Sequence, residues 1–282
     1  MLTGQPLIDE VNATVLGPGE CAFWWLGQLS YILKLADKVL YLDPYLSPSK
    51  ARTTPPLLKP SEVTNAAVIT GSHDHGDHID RPVWPALALA SPQAKFVVPA
   101  ILAAKLAAAL KIPEDRFVGL DDGASAEVAG IKITGVAAAH EFLDQDAATG
   151  RHPYLGFVIE ASGCRVYHSG DTCKYEGLES RLKKFGGLDV AFLPINGRDA
   201  PRLRSGCIGN MTFQEAVDLA GAVGVRLAVP SHWDMFKDNS EDPRKFADYM
   251  SAKFPRVRTI IPKHGERVTC RAEGCPAENP PT

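Results

Sequence analysis

Eleven short apolar runs punctuate the chain: ECAFWWLG, SYILKL, KVLYLDP, AAVITG, KFVVPA, IKITGVAA, YLGFVIEA, CRVYHSGD, LDVAFLPI, RLAVPSH and RTIIPKHG. Several are β-branched or aromatic and end in Gly, Pro, Asp or His, which is how strands read. Helical stretches lie between some of them. AILAAKLAAAL is rich in Ala and Leu, with Pro113 just beyond it. MTFQEAVDLAGAV carries Thr212 with Glu215 three residues later, the spacing of a capping box. DPRKFADYMSAKF is a third. The early part is strand-dense with hairpin-like spacing, and the later part alternates strand and helix. Together these predict an α/β protein with mixed sheets rather than a doubly wound parallel sheet.

No repeat, low-complexity block or Gly/Ser linker divides the 282 residues. One domain over 1–282 is expected, with the Pro-rich tail CRAEGCPAENPPT frayed from about residue 270. A net charge of -3 gives no basic excess, which argues against a nucleic-acid partner. The first residues, MLTGQPLIDEVNATVLG, have neither a basic flank nor a long apolar run, so no signal peptide or membrane span is expected. Six cysteines without a CxxC pair read as free thiols of a cytoplasmic protein.

The chemistry concentrates in SHDHGDHID, residues 72–80. AAVIT reads as a buried strand stopping at Gly71, and Asp80 before Arg81-Pro82 reads as a helix N-cap. The charged cluster then occupies a strand-to-helix loop, where α/β folds place ligands. If the segment is extended, His73 and His75 point the same way and reach one centre. Asp77 and His78 fall in the turn and reach a second. Such a set suits two adjacent divalent ions. Further ligand types end later runs: His140 after IKITGVAAA, Asp171 after CRVYHSG and His232 after RLAVPS. Five of the eight histidines thus lie at predicted strand ends. The donors are nitrogen and oxygen only, which fits Zn, Mn or Fe. His168 reads as a core histidine, His152 and His264 as loop or strand-end residues, and Cys173 as a non-ligand.

HDHGDHID, His140, SGDT with Asp171, and PSHWD with His232 together resemble the metallo-β-lactamase superfamily over nearly the whole chain. Within it, FWWLG (23–27), RTTPPLLKP (52–60), HDHGDHID (73–80), YHSGDT (167–172) and PSH (230–232) resemble the ascorbate-6-phosphate lactonase branch. The resemblance implies an αββα sandwich of two mixed sheets with metals at one edge. It implies that His73, His75 and His140 hold one ion, that Asp77, His78 and His232 hold the other, and that Asp171 bridges them. Asp77, His78 and Asp171 become the catalytic set, with a metal-bridging hydroxide opening a lactone or ester of a small anionic, sugar-like substrate. A binuclear phosphodiesterase is the alternative on the same core. For the anion, Arg52 in RTTPP is the first choice, ahead of Arg198, Arg202 and Arg204, because guanidinium forks match phosphate and carboxylate oxygens. Asn196 and Gly197, after LDVAFLPI, are further pocket candidates. Neither a membrane nor a nucleic acid is expected as partner, and association with further copies of the chain is left open.

Overall fold

The computed structural model of the chain describes residues 1–272. The first sheet is built from β1 (Glu20–Gly27), β2 (Ser30–Leu35), β3 (Lys38–Leu42), β4 (Ala66–Thr70), β5 (Lys95–Pro99) and β6 (Phe117–Leu120). The second contains β7 (Ser125–Val128), β8 (Ile131–Ala137), β9 (Leu155–Ala161), β10 (Cys164–His168), β11 (Val190–Pro194), β12 (Leu227–Ser231) and β13 (Arg258–Thr259). A final strand, β14 (Arg267–Arg271), returns to the first sheet and pairs antiparallel with β1. Both sheets are mixed. β1 to β3 and β7 to β10 are antiparallel meanders, and β3 to β6 and β10 to β13 are parallel.

The continuous apolar runs have a direct cause. In β1, Ala22, Trp24 and Leu26 pack toward the helices, while Cys21, Phe23 and Trp25 pack toward the second sheet. Both faces are buried, so no polar alternation survives. Between the sheets, Phe23 meets Phe192 edge-on at 5.0 Å and Tyr31 stacks on Phe192 at 3.9 Å. Full burial of such a side chain is worth about 1.5–3 kcal/mol. Tyr31 Oη and Ser231 Oγ, 2.7 Å apart, add a hydrogen bond from sheet to sheet. Helices Gln5–Ala13, Trp84–Ala90 and Ala100–Leu110 cover the outside of the first sheet. Leu178–Lys183, Phe213–Val223 and Pro243–Lys253 cover the second, completing the αββα order.

Several local expectations are refined. Strands β6, β7 and β14 carry too little apolar signal to be read in the sequence; FVGL and SAEV are largely exposed or half-buried. Cys270 and Arg271, at the start of the tail, belong to β14, with Cys270 opposite Cys21. The rest of that tail, including Cys275, lies outside the described residues. Cys21, Cys164, Cys173, Cys207 and Cys270 are free thiols. The Thr212–Glu215 capping box forms as expected, with Thr212 N donating to Glu215 Oε2 at 2.9 Å. Asp80, in contrast, does not cap a helix, which begins only at Trp84. Its carboxylate instead accepts from the backbone N–H groups of Leu46 and Ser47 at 2.9 and 2.7 Å, tying the Pro-rich loop to the ligand turn. Among the described residues no helix is long and apolar enough to cross a membrane.

Candidate metal centre

The strand ends converge at one edge of the sandwich. β4 stops at Thr70, and the chain turns through His73–His78. His140 follows β8 by three residues, Asp171 follows β10 by three, and His232 comes directly after β12. Parallel strands leave their C-terminal ends open in this way, which is why ligand groups collect there. Local backbone needs support the arrangement. A Cβ on Gly170, at φ +59°, would lie 2.5 Å from the carbonyl oxygen of Leu155, so only glycine lets Asp171 approach the 72–78 turn. His232 itself has φ +57°, an unusual backbone conformation for a residue with a side chain.

Three groups of ligand atoms form, each within 4.8 Å: His73, His75 and His140; His73, His78 and Asp171; Asp77, His78 and His232. His73 Nε2 lies 3.0 Å from His75 Nδ1, which is 3.3 Å from His140 Nε2. The two residues of HxH do converge, but through a tight turn, with His75 N donating to His73 O at 3.0 Å, and not through an extended segment. Asp171 sits between the groups. Its Oδ1 is 3.4 Å from His78 Nε2, and its Oδ2 is 3.2 Å from His232 Nε2 and 3.9 Å from His140 Nε2. Asp77 Oδ2 is 3.7 Å from both His78 Nε2 and His232 Nε2. Asp74, in the same motif, points away and forms a bidentate pair with Arg81 at 2.6 and 2.7 Å.

The electrostatics fit cations. Burial, together with the neighbouring His78, holds His73 well below the usual histidine range, and burial likewise lowers His140, so both keep lone pairs free. For Asp171, burial is opposed and overcome by the charges of His232 and His78, which hold the carboxylate ionised. Against the same burial, Asp171 raises His232 to about 9 and His78 well above its ordinary value. His78 Nε2 and Asp171 Oδ1 are buried without a hydrogen-bond partner, a costly state that a bound ion would relieve. The residues therefore fit divalent ions.

Sequence reasoning passed over Asp43, which follows β3. The signal was present, since KVLYLDP is another apolar run ending in an acid. Its buried carboxylate bonds His78 Nδ1 at 2.8 Å, Thr70 Oγ1 at 2.9 Å and Ser72 N at 3.1 Å, and also accepts from Ser72 Oγ. Burial would raise its pKa, but His168 and His78 outweigh this and keep it charged. Held through Nδ1, the His78 ring can turn only Nε2 to the site, the outer-shell arrangement of many metal-ligating histidines. Asp43→Asn is expected to weaken metal binding by about ten- to hundredfold. A chelator competition titration measures this, and an unchanged affinity would remove Asp43 from the site.

The substrate candidates have other partners. Arg52 donates from Nε to Thr54 O and from Nη1 to Tyr45 O, both at 2.9 Å, and lies 4.6 Å over the Tyr45 ring. Its remaining Nη2 is buried and unpartnered. The guanidinium clasps the Pro-rich loop and offers no exposed fork to an anion. Arg198 is bound to Asn210 O and to Glu215 Oε1 at 2.9 and 2.7 Å. Asn196 is fully buried, donating to Asn239 and accepting from Asn210. Gly197 supports the same loop through backbone bonds to Met211 and Asn210, Arg202 pairs with Asp199, and Arg204 is exposed. Arg52→Ala is accordingly expected to lower unfolding free energy by about 1.5–3 kcal/mol and to reduce turnover of charged and neutral substrates alike. Denaturant unfolding and paired kcat/KM values check this. A loss confined to charged substrates would return Arg52 to recognition.

The other histidines lie outside the ligand groups. His168 is buried and bonded to Leu29 O at 2.8 Å, His152 pairs with Asp121 at 2.8 Å, and His264 pairs with Asp234 at 2.6 Å. Cys173 Sγ approaches Gly209 O at 3.7 Å. A cavity of about 750 Å³ beside Trp25, Trp233 and His264 is lined by none of the seven clustered side chains.

The sequence profile of the β-lactamase superfamily domain matches residues 39–233, from β3 to the residue after His232. A UPF0173 metal-dependent hydrolase of Thermococcus onnurineus is 30% identical over 242 residues, covering 86% of this chain and 96% of its own. The chain belongs to the metallo-β-lactamase superfamily, in its UPF0173 metal-dependent hydrolase family. A second metal-dependent hydrolase of that family, from Pyrococcus abyssi, is 28% identical over 245 residues, covering 86% of this chain and 97% of its own. A metallo hydrolase of Ignicoccus hospitalis superposes with a TM-score of 0.69 at 20% identity, over 89% of this chain and 98% of its own, which shows a shared fold. As a superfamily member this protein is a metal-dependent hydrolase, and its clustered His and Asp side chains are groups able to bind metal.

Proposed function

We propose that the protein is a binuclear hydrolase, with Zn or Mn as the favoured ions, that opens a lactone or ester of a small anionic, sugar-like molecule. The observation that carries the two-centre reading is Asp171, whose carboxylate touches both sets: it lies 3.4 Å from His78 Nε2 and 3.2 Å from His232 Nε2 on one side and 3.9 Å from His140 Nε2 on the other. In it, His73, His75 and His140 hold one ion, Asp77, His78 and His232 hold the other, and Asp171 is shared. Bound ions would acidify a water and polarise a substrate oxygen.

The chain's own groups do the rest. Asp43 keeps His78 in one orientation, and the Asp171 carboxylate spaces the two halves of the site. Asp77, with one oxygen toward His78 and His232, is placed to accept or relay a proton from the attacking water. The anionic preference follows from charge balance. Two divalent ions carry four positive charges against the three buried carboxylates Asp77, Asp171 and Asp43, so before hydroxide binds the centre is left net positive and attracts an anion without an arginine. The experiment is a panel of γ- and δ-lactones, charged and neutral, beside phosphodiesters and thioesters, assayed after reconstitution with Zn or Mn. Fastest turnover of carboxylated or phosphorylated lactones is expected. Faster phosphodiester cleavage would replace this reading by a phosphodiesterase.

A further inference from the structure

The hairpin between β1 and β2 turns at Gln28 and Leu29, next to the ligand cluster. Gln28 has φ +52°, unusual for a residue with a side chain. Three contacts hold its backbone there. Its N–H donates to Asp234 Oδ1 at 3.0 Å, and its carbonyl accepts from His232 N and from Trp25 Nε1, each at 3.0 Å. Asp234 is braced in turn by His264, whose ring stacks on Trp25 at 4.3 Å. The hairpin tip is thereby bolted to the segment that carries His232.

The side chain is fully buried. Its amide nitrogen lies 3.3 Å from Asp77 Oδ2 and 3.2 Å from His232 Nε2. Those two atoms are 3.7 Å apart, so the three form a compact triangle. Atoms bound to one divalent ion at about 2.0–2.2 Å lie roughly 3.0–3.6 Å from one another, a range that holds two sides of the triangle and falls just short of the third. The amide oxygen, Oε1, is buried and has no partner. A half-turn about Cγ–Cδ exchanges the two amide atoms with almost no change in shape. Without a cation, the NH2 group faces the Asp77 carboxylate. With a cation among Asp77, His78 and His232, an NH2 group at that corner would be repelled and an oxygen attracted.

We propose that Gln28 is an additional ligand of the second centre, presenting Oε1 to the ion held by Asp77, His78 and His232. The inference rests on the two-centre reading above. It makes the centres unequal: imidazoles dominate the first, and a hard, neutral oxygen is added to the second. A harder ion is then favoured at the second position relative to the first.

The test is Co(II) loading of the full chain, reading stoichiometry, the affinity of each equivalent and the visible spectrum. Gln28→Leu removes the ligand. Gln28→Asn keeps a residue at ease in left-handed backbone but withdraws the amide by one methylene. Gln28→Glu keeps an oxygen at the corner. The first equivalent should bind all variants as in wild type. The second should weaken about tenfold or more in the Leu and Asn variants, with stronger visible absorption as its coordination number falls, and recover in the Glu variant. Second-equivalent affinity and spectrum unchanged in the Asn variant would overturn the ligand assignment while leaving the two-centre reading intact. Wild-type protein that binds a single equivalent would overturn both.

Discussion

Replacing His73 and His75 together by alanine is expected to remove one metal equivalent and abolish hydrolysis. His73 Nε2 and His75 Nδ1 lie 3.0 Å apart, with His140 Nε2 3.3 Å from His75 Nδ1, so the double change leaves His140 as the lone imidazole of that group. One imidazole and a shared carboxylate hold a divalent ion poorly. A missing ion forfeits several kcal/mol of transition-state charge stabilisation, on the order of a thousandfold or more in rate. Folding should survive, because the sheets and their aromatic core are untouched and His75 is exposed. Metal analysis of the purified variant and turnover on the best substrate of the panel are the measurements. Turnover near wild type with one ion fewer would show that the first centre is not catalytic.

Asp171→Asn should be nearly as severe for a different reason. The change keeps the shape and removes the charge that both halves of the site share. A carboxylate can set one oxygen toward His78 and the other toward His232 and His140, whereas an amide presents one oxygen and one NH2 group. The NH2 side would oppose a cation, so at least one ion should be lost and turnover should fall with it. Metal content after extensive dialysis, set beside kcat, checks the expectation. Two ions retained at wild-type affinity would show that another acid bridges.

The chain carries much of this plainly. Alternating both-face-buried strands made a mixed α/β fold legible, and the ionisable residues closing those strands are the ones that converge. This works because a strand end is a local property: an apolar run stops where the sheet edge begins, and the next polar side chain faces that edge. Helices with clear caps, such as Phe213–Val223 behind Thr212, are local for the same reason. Exposed edge strands such as Ser125–Val128 have no comparable pattern.

What only the tertiary structure decided depends on partners distant in the chain. Asp43 is one acid among many until folding sets it 2.8 Å from His78, 35 residues later. Gln28 is a hairpin residue until β12 delivers His232, 204 residues away, to within 3.2 Å. Asp80 looks like a helix cap because a cap is defined locally, but the competing N–H groups of Leu46 and Ser47 arrive with another loop and take its carboxylate. Arg52 looks like an anion fork because its charge is legible in the sequence, while the carbonyls of Tyr45 and Thr54 that occupy that fork are not. Residue type and strand position determine which groups are available at the edge; long-range packing decides which of them are left with a free lone pair or an unclaimed hydrogen, and only those can meet a metal or a substrate.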